Sequence, residues 1–427
     1  MMGALQGSMG LLSALRSRRS RHLGLWASLI SSAALAGCSA VPQLPNVLYL
    51  AIGMSADQAI DGEAHQEVQD RLAPLEQGYR QLHPSTRFQF SLYPETDLGK
   101  TIRDRTQSGL GPDLLFLNGA TALKLLDDGL VDPYPANARD TAQFNPGDLD
   151  RIRDRRGRLA GIPVLVQTQV ACFNRKQLAT PPATLDELLA ASAKGRRIGL
   201  SADVINLFWT AGSLGAVESI TNVVKGNPIE QQELNTLIRW LAWLQNANNQ
   251  LRVTFYPNQQ TVISEFLAGR LDWIPCNSVS LPRLRQRLGP HLGVSPLPDG
   301  VGGAASPVNR LRVLALGRSS SSAGRARALA FSRFSTNPMV QRVLTLGSQT
   351  VLPANRFVKV PVQSSEVLQA METSKQESQV ISSFLESIHA GDSRMNKVQA
   401  ELTTLLFGER SPEEVAATLV TAFQRSQ

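Results

Sequence analysis

The sequence predicts an α/β protein of two lobes, each a mostly parallel sheet flanked by helices, and three observations predict it. At 427 residues and 46.3 kDa the chain exceeds what one hydrophobic core usually serves, so two lobes are the default. From Val47 to Asp132 strand and helix alternate, an order that implies parallel strands with helices on both faces. Within that stretch Leu114-Leu115-Phe116-Leu117 is a continuous apolar run, as a strand covered on both sides requires. Charged residues make up 18% and hydrophobic ones 42%, too apolar a balance for a chain that stays unfolded.

The chain opens on a leader. Arg16 to His22 is basic, and Leu23 to Leu35 is apolar with only small or hydroxyl interruptions. That run is short for a bilayer core of ~30 Å and matches the apolar region of a secretory signal, with an uncleaved anchor as the alternative. Leu35-Ala36-Gly37-Cys38 decides for cleavage, because it looks like a bacterial lipobox: small residues fit the peptidase and the Cys38 thiol accepts the lipid. Arg18-Arg19 hints at twin-arginine export, but Arg21 stands where that signal wants a bulky apolar residue, so the general secretory route is expected. Residues 1–37 are thus read as a signal peptide and 38–45 as a lipid-anchored tether. Four of the eight net positive charges, Arg16, Arg18, Arg19 and Arg21, leave with the leader. The remaining Lys and Arg are scattered among acids, which gives nucleic-acid binding little support.

Val47 to Ile52 reads as the first strand, and the loop from Gly53 to Asp61 precedes a helix to about Leu82, with Val68, Leu72, Leu75 and Tyr79 on one face. Pro74 should kink it or mark a restart. Arg87 to Tyr93 alternates Phe88, Phe90 and Leu92 with polar neighbours, a second strand. A helix from Leu98 ends at Ser108-Gly109, Pro112 forbids its return, and the apolar run follows. Asn118-Gly119 closes that strand, and Ala120 to Asp128 forms a helix stopped by Gly129. Ligands of open α/β sheets sit beyond the carboxyl ends of strands, where helix N-termini offer free N–H groups, so Asn118 is a candidate contact.

Further on, Thr184 and Glu187 are spaced as a capping box for a helix carrying Leu185, Leu188 and Leu189. Arg197 to Leu200 reads as a strand, Ala202 to Leu214 as a helix, and Leu234 to Leu244 as an amphipathic helix with Trp240 and Trp243 in the core. Val262, Phe266 and Leu267 mark another helix, Leu311 to Leu316 a strand, and Ser322 and Asn337-Pro338 two more helix starts, the second helix stopping at Gly347. Ser411-Pro412-Glu413-Glu414 has the cap, the proline and the glutamate of a final helix.

With Cys38 lipidated only Cys172 and Cys276 remain, and one disulfide or two free buried thiols are both open. The five histidines show no ligand spacing, so no metal and no cofactor is expected. No nucleophile elbow, metal-binding helix or phosphate-cradling loop stands in the sequence, which argues against an enzyme.

Several phrases resemble one family. They are the lipobox; S-G-L-G-P-D-L-L-F-L from Ser108 and L-L-D-D-G-L-V-D-P-Y from Leu125; the G-I-P-V turn at Gly161 followed by a strand ending Phe173-Asn174-Arg175; Phe266 to Trp273; Leu297-Pro298-Asp299-Gly300; Ser348 to Pro353; and the last helix cap. In this order they resemble the extracellular solute-binding proteins of ABC importers, the maltose-binding-like family. The resemblance implies a two-lobed periplasmic binding protein-like fold whose chain crosses between lobes near Gln167, Pro298 and Pro353. Residues 46–167 and 298–350 would form lobe 1, and 168–297 and 351–427 lobe 2. It implies a monomer on the periplasmic side of a bacterial membrane that captures a carbohydrate between the lobes and hands it to the permease subunits. A binder of iron, polyamine or another small solute, or a sensory lipoprotein, are the alternatives. Trp209, Trp273 and Asn277 occupy places where the family puts cleft residues, with core packing as the other reading of the tryptophans. Gln167 and Asn309, at crossings and loop ends, join Asn118 as further candidates.

Overall fold

The computed structural model describes residues 46–378 and 393–424, apart from 56, 57, 59 and 226. The leader, Cys38 and the tether lie outside the described residues. Strand β1 (Asn46–Met54) leads to helix α1 (Gly62–Leu82), which Asp61 caps by accepting a hydrogen bond from the Ala64 N–H at 2.8 Å. The helix runs unbroken through Pro74 and turns Val68, Leu75 and Tyr79 inward. β2 (Thr86–Pro94), α2 (Leu98–Gln107), β3 (Leu114–Asn118) and α3 (Gly119–Asp127) follow, and Gly129, at φ 67°, takes the left-handed step that ends the last of these. After β4 (Val131–Asp132) and the short helices α4 (Ala138–Thr141) and α5 (Pro146–Asp150) comes β5 (Ile162–Gln167), so the segment expected as a turn at Gly161 to Val164 is already strand from Ile162.

A single residue, Thr168, separates β5 from β6 (Gln169–Asn174), and these two strands belong to different sheets. The second sheet's run continues with α6 (Leu185–Ala193), β7 (Ile198–Ser201), α7 (Val204–Ser213), α8 (Val217–Val224), α9 (Gln231–Asn248), β8 (Val253–Tyr256) and α10 (Gln259–Leu267). β9 (Trp273–Asn277), α11 (Leu281–Leu288) and β10 (Leu292–Ser295) complete it. The chain then returns: β11 (Arg310–Gly317), α12 (Ser322–Ser335), α13 (Pro338–Ser348) and β12 (Leu352–Pro353) rejoin the first sheet's side. The cap of α12 is Ser321 rather than Ser322. Helices α14 (Glu366–Glu377), α15 (Ser393–Leu406) and α16 (Pro412–Gln424) end the described chain, and the last two pack with α9 of the second sheet's side.

The first sheet runs β12-β5-β11-β3-β1-β2 with β4 also on β11, and the second runs β10-β6-β9-β7-β8. β1 pairs β3 in parallel, as do β7 with β8 and with β9. Pairing is antiparallel wherever a strand adjoins a crossing: β11 against β3 and β5, β12 against β5, β6 against β9 and β10. A strand that has just returned from the other lobe runs back along its neighbour, which makes both sheets mixed.

Two apolar clusters follow from the alternation of β6. Val170 and Cys172 face one cluster, shared with the whole first sheet and with Ile274, Cys276 and Phe266. Ala171 and Phe173 face the other, with Trp209, Trp240, Trp273 and the helices α15 and α16. Cys172 and Cys276 are joined by a disulfide that ties β6 to β9 with 5.8 Å between Cα atoms, which settles the open alternative of the sequence.

Candidate functional site

The connection after β1 and the first half of α1 face α10 and the segment leading into α11 across a small cavity of about 50 Å³. Met54, Gln58, Glu67 and Arg71 line it from the first sheet's side, and Gln260, Ile263, Ser280 and Arg283 from the second's. Glu67 accepts a hydrogen bond from Arg71 at 2.9 Å, and Arg283 of α11 reaches Glu63 of α1 at 3.1 Å. Burial pulls the Arg71 guanidinium below its ordinary range, and the Glu67 carboxylate partly offsets that. Ligand pockets for small molecules run to roughly 300 Å³ and more, so a solute enters only if the two sides part and the Glu63–Arg283 pair opens.

The three crossings meet beside this cavity in one hydrogen-bonded knot. Asn309 Oδ1 accepts from the Gln169 N–H at 3.1 Å, while its Nδ2 donates to Ser374 O at 3.0 Å and Ser378 Oγ at 2.5 Å. Ser374 Oγ donates to Gln169 O at 2.7 Å. On the other flank, Ser278 N–H donates to Thr168 O at 2.8 Å and Ser278 Oγ donates to Thr350 O at 2.7 Å. Asn277 pairs with Gln169 across the ladder and accepts from the Val279 N–H at 3.2 Å. The groups joined by these bonds are satisfied, whereas the side-chain oxygens of Gln167, Thr168 and Thr350 beside them have no partner among the described residues.

Of the residues the sequence singled out, Gln167, Asn277 and Asn309 therefore come together at the crossings. Asn118 stands apart, at the end of β3: its Oδ1 accepts from Arg312 Nη1 at 2.8 Å and its Nδ2 donates to Ser55 Oγ at 3.2 Å. Arg312 in turn donates to Glu95 Oε1 at 2.6 Å and to Gly53 O at 2.6 Å, with Phe116 beneath its guanidinium. A Cβ on Gly53 would lie 2.6 Å from Glu95 Cγ, so the glycine is what lets this carboxylate approach. Trp209 and Trp273 are each 0% exposed and pack against one another in the second cluster at 6.1 Å between ring centroids, so for them the structure shows the packing alternative, away from the cavity.

The sequence reading missed Gln58, Glu67, Arg71, Gln260, Ser280 and Arg283. Gln58 lies before α1, Glu67 and Arg71 on it, Gln260 on α10, Ser280 just before α11 and Arg283 on it, and positions so scattered in sequence carry no local pattern; the only cue was that the loop after a first strand opens at a strand's carboxyl end. It also missed Arg312, for which a signal existed: one arginine inside the apolar run Leu311 to Leu316.

Glu377, at the end of α14 and three residues beyond Ser374, has a carboxyl pushed up from 4.5 to about 7 by burial first and by Asp299 second. Its protonated form is the one the fold favours, so between pH 4.5 and 7 the folded chain binds more protons than the unfolded one. This contribution to stability is present below pH 4.5 and lost as pH rises to about 7. With the group only partly shielded, the loss expected is ~1–2 kcal/mol. Unfolding free energies from urea titrations at pH 5 and 8 should differ by that amount more in the native protein than in Glu377→Gln; equal differences would refute the assignment.

Residues 79–366 match the model of the bacterial extracellular solute-binding proteins. No curated protein matches the sequence. Among solved structures the GacH receptor of Streptomyces glaucescens, determined unliganded and with acarbose, is similar at TM-score 0.71 and 16% identity, over 90% of this chain and 98% of that one. A solute-binding protein of Thermotoga lettingae with bound α-D-tagatose gives 0.67 at 15% identity, over 89% and 99%. The maltose-maltodextrin binding protein of Alicyclobacillus acidocaldarius gives 0.66 at 19% identity, over 89% and 100%.

Proposed function

We propose that this chain, which belongs to the bacterial extracellular solute-binding proteins, is the lipid-anchored capture component of an ABC importer and that its solute is a carbohydrate. The observation that carries the reading is the cavity walled from both sheets and bridged by Glu63 and Arg283, beside three crossings knotted together. A site of this kind is desolvated only when both walls close on the solute, and it opens by rotation about the crossings. On this reading lobe 1 is 46–167 with 298–350 and lobe 2 is 168–297 with 351–427, except that β12 pairs with β5 and so stands with lobe 1, while Ala305 packs in the cluster of lobe 2. Gln58, Gln260 and Ser280 would bond sugar hydroxyls, with Gln167 and Asn277 at the hinge edge and Asn118 behind Ser55. Sugar-bound neighbours of the same fold support the solute class, and the neutral Gln58, Gln260 and Ser280, which stand in the lining beside the charged Glu67, Arg71 and Arg283, suit it.

The protein would act as a monomer on the periplasmic side of the membrane, deliver the solute to the permease subunits, and leave it chemically unchanged. Thermal-shift screening of the mature protein against sugars and osmolytes should find a stabilising carbohydrate, and small-angle scattering should show the particle shrink as it binds. Turnover of the bound sugar to a product, or no carbohydrate among the hits, would overturn the reading. Cys38→Ser should abolish acylation; undiminished uptake of labelled palmitate by that variant would remove the lipid anchor from the proposal.

A further inference from the structure

A second and larger cavity, about 110 Å³, lies inside lobe 1 between the first sheet and the helices α1, α12 and α13. Ile52, Phe116 and Leu314 form its floor, and Leu72, Leu75 and Leu344 its roof. At about 110 Å³ it is smaller than the ~150 Å³ apolar cavity that holds a benzene molecule, so it takes a short alkyl chain as it stands and a single ring only with a small outward shift of side chains such as Leu72 and Leu344. Polar residues interrupt the apolar lining, Arg71 and Arg312 among them, and two of these residues, Gln167 and Thr350, carry a buried side-chain oxygen with no partner among the described residues. Among the described residues, Gln167, 5% exposed, has no partner for its Oε1, and Thr350, 0% exposed, has none for its Oγ1. Buried acceptors and hydroxyls left so cost free energy unless something fills their valences. One hydroxyl group would do both tasks, since it can donate to the Gln167 oxygen while accepting from the Thr350 hydroxyl.

This chamber is not isolated. Met54, Gln58 and Arg71 line both it and the cavity between the lobes, so a molecule seated in that cavity can extend past Met54 and Gln58 into the sheet's interior. We propose that the chamber is an apolar subsite for the aglycone of a glycoside, an aryl ring or short alkyl chain bearing a hydroxyl that meets Gln167 and Thr350. The sugar remains between the lobes, and in that respect the inference rests on the carbohydrate reading above. The solute class it names is a hydroxyaryl or hydroxyalkyl glycoside rather than a free sugar.

The test compares glucose, galactose and maltose with their 4-hydroxyphenyl glycosides by calorimetry, and adds phenol alone, followed through the methyl resonances of Ile52 and Leu314. The glycoside of whichever sugar binds should be held about 30-fold more tightly than the free sugar, from burial of one ring. Two variants that fill the chamber, Leu72→Trp and Leu344→Phe, should bring that ratio to within about threefold while the free sugar binds as before. Two variants are used so that one failing to fold leaves the other to decide. If a sugar binds and its glycoside gains nothing, or if the gain survives in a folded filled variant, the subsite is overturned and the carbohydrate reading stands. If no sugar or glycoside binds yet phenol shifts the Ile52 and Leu314 methyls in the native protein alone, the chamber stands and the carbohydrate reading falls. If phenol shifts nothing and no glycoside binds, both fall.

Discussion

Trp209→Ala and Trp273→Ala should each cost ~3–5 kcal/mol of folding stability and leave solute affinity in the surviving folded protein within a factor of about two. Both indoles are 0% exposed and lean on one another in the core of lobe 2. Neither Nε1 has a hydrogen-bond partner among the described residues, so truncation removes apolar contact and leaves a hole, without also orphaning an acceptor there. Trp240 differs, since its Nε1 donates to Thr210 Oγ1 at 2.8 Å, and its loss would strand that hydroxyl as well. Urea titrations and calorimetry on both variants check the prediction. A loss below 1 kcal/mol with a tenfold or greater fall in affinity would return these residues to the cleft.

Those tryptophans illustrate what the sequence could carry. Elements with a period, a cap and a stop were legible: Thr184 accepts from the Glu187 N–H at 3.2 Å as spacing predicted, and Ser411 and Glu414 exchange both bonds of a capping box. In the first of these the Glu187 side chain reaches back to Ala183 instead, one residue early, a detail that depends on how the chain enters the helix. Strand existence was legible, and strand pairing was not, because the mixed order arises from returns separated by more than a hundred residues. β11 lies between β3 and β5, neither near it in sequence. An aromatic beside a loop reads the same whether it faces solute or core, since both environments reward an apolar ring. The face is fixed by helices α15 and α16, which arrive from the far end of the chain to cover lobe 2. Asn309 was singled out as a ligand contact, and its amide is engaged by Gln169, Ser374 and Ser378.

Arg312→Ala should be as damaging as either tryptophan variant, at ~3–5 kcal/mol, by a different route. The Arg312 side chain is 2% exposed and its partner Glu95 8%, so removing the guanidinium leaves a buried carboxylate without its counter-charge. Among the described residues Glu95 would retain the Asn118 N–H at 3.0 Å and the Thr121 hydroxyl at 2.7 Å. Two carbonyls, Gly53 O at 2.6 Å and Phe116 O at 3.2 Å, would lose the same donor, and with them the arginine's tie between the ends of β1 and β3. Because Gly53 precedes Met54 and Gln58, which line both cavities, this loosening should also weaken solute binding, unlike the tryptophan variants. Glu95→Leu alone should be costly for the mirror-image reason. The double variant Arg312→Met with Glu95→Leu buries no charge, so it should lie well short of the sum of the singles, with a coupling of ~1–3 kcal/mol. A double-mutant cycle by urea denaturation measures that coupling. Additivity within ~0.5 kcal/mol would mean that the pair is not the unit that holds the carboxyl ends of these strands together.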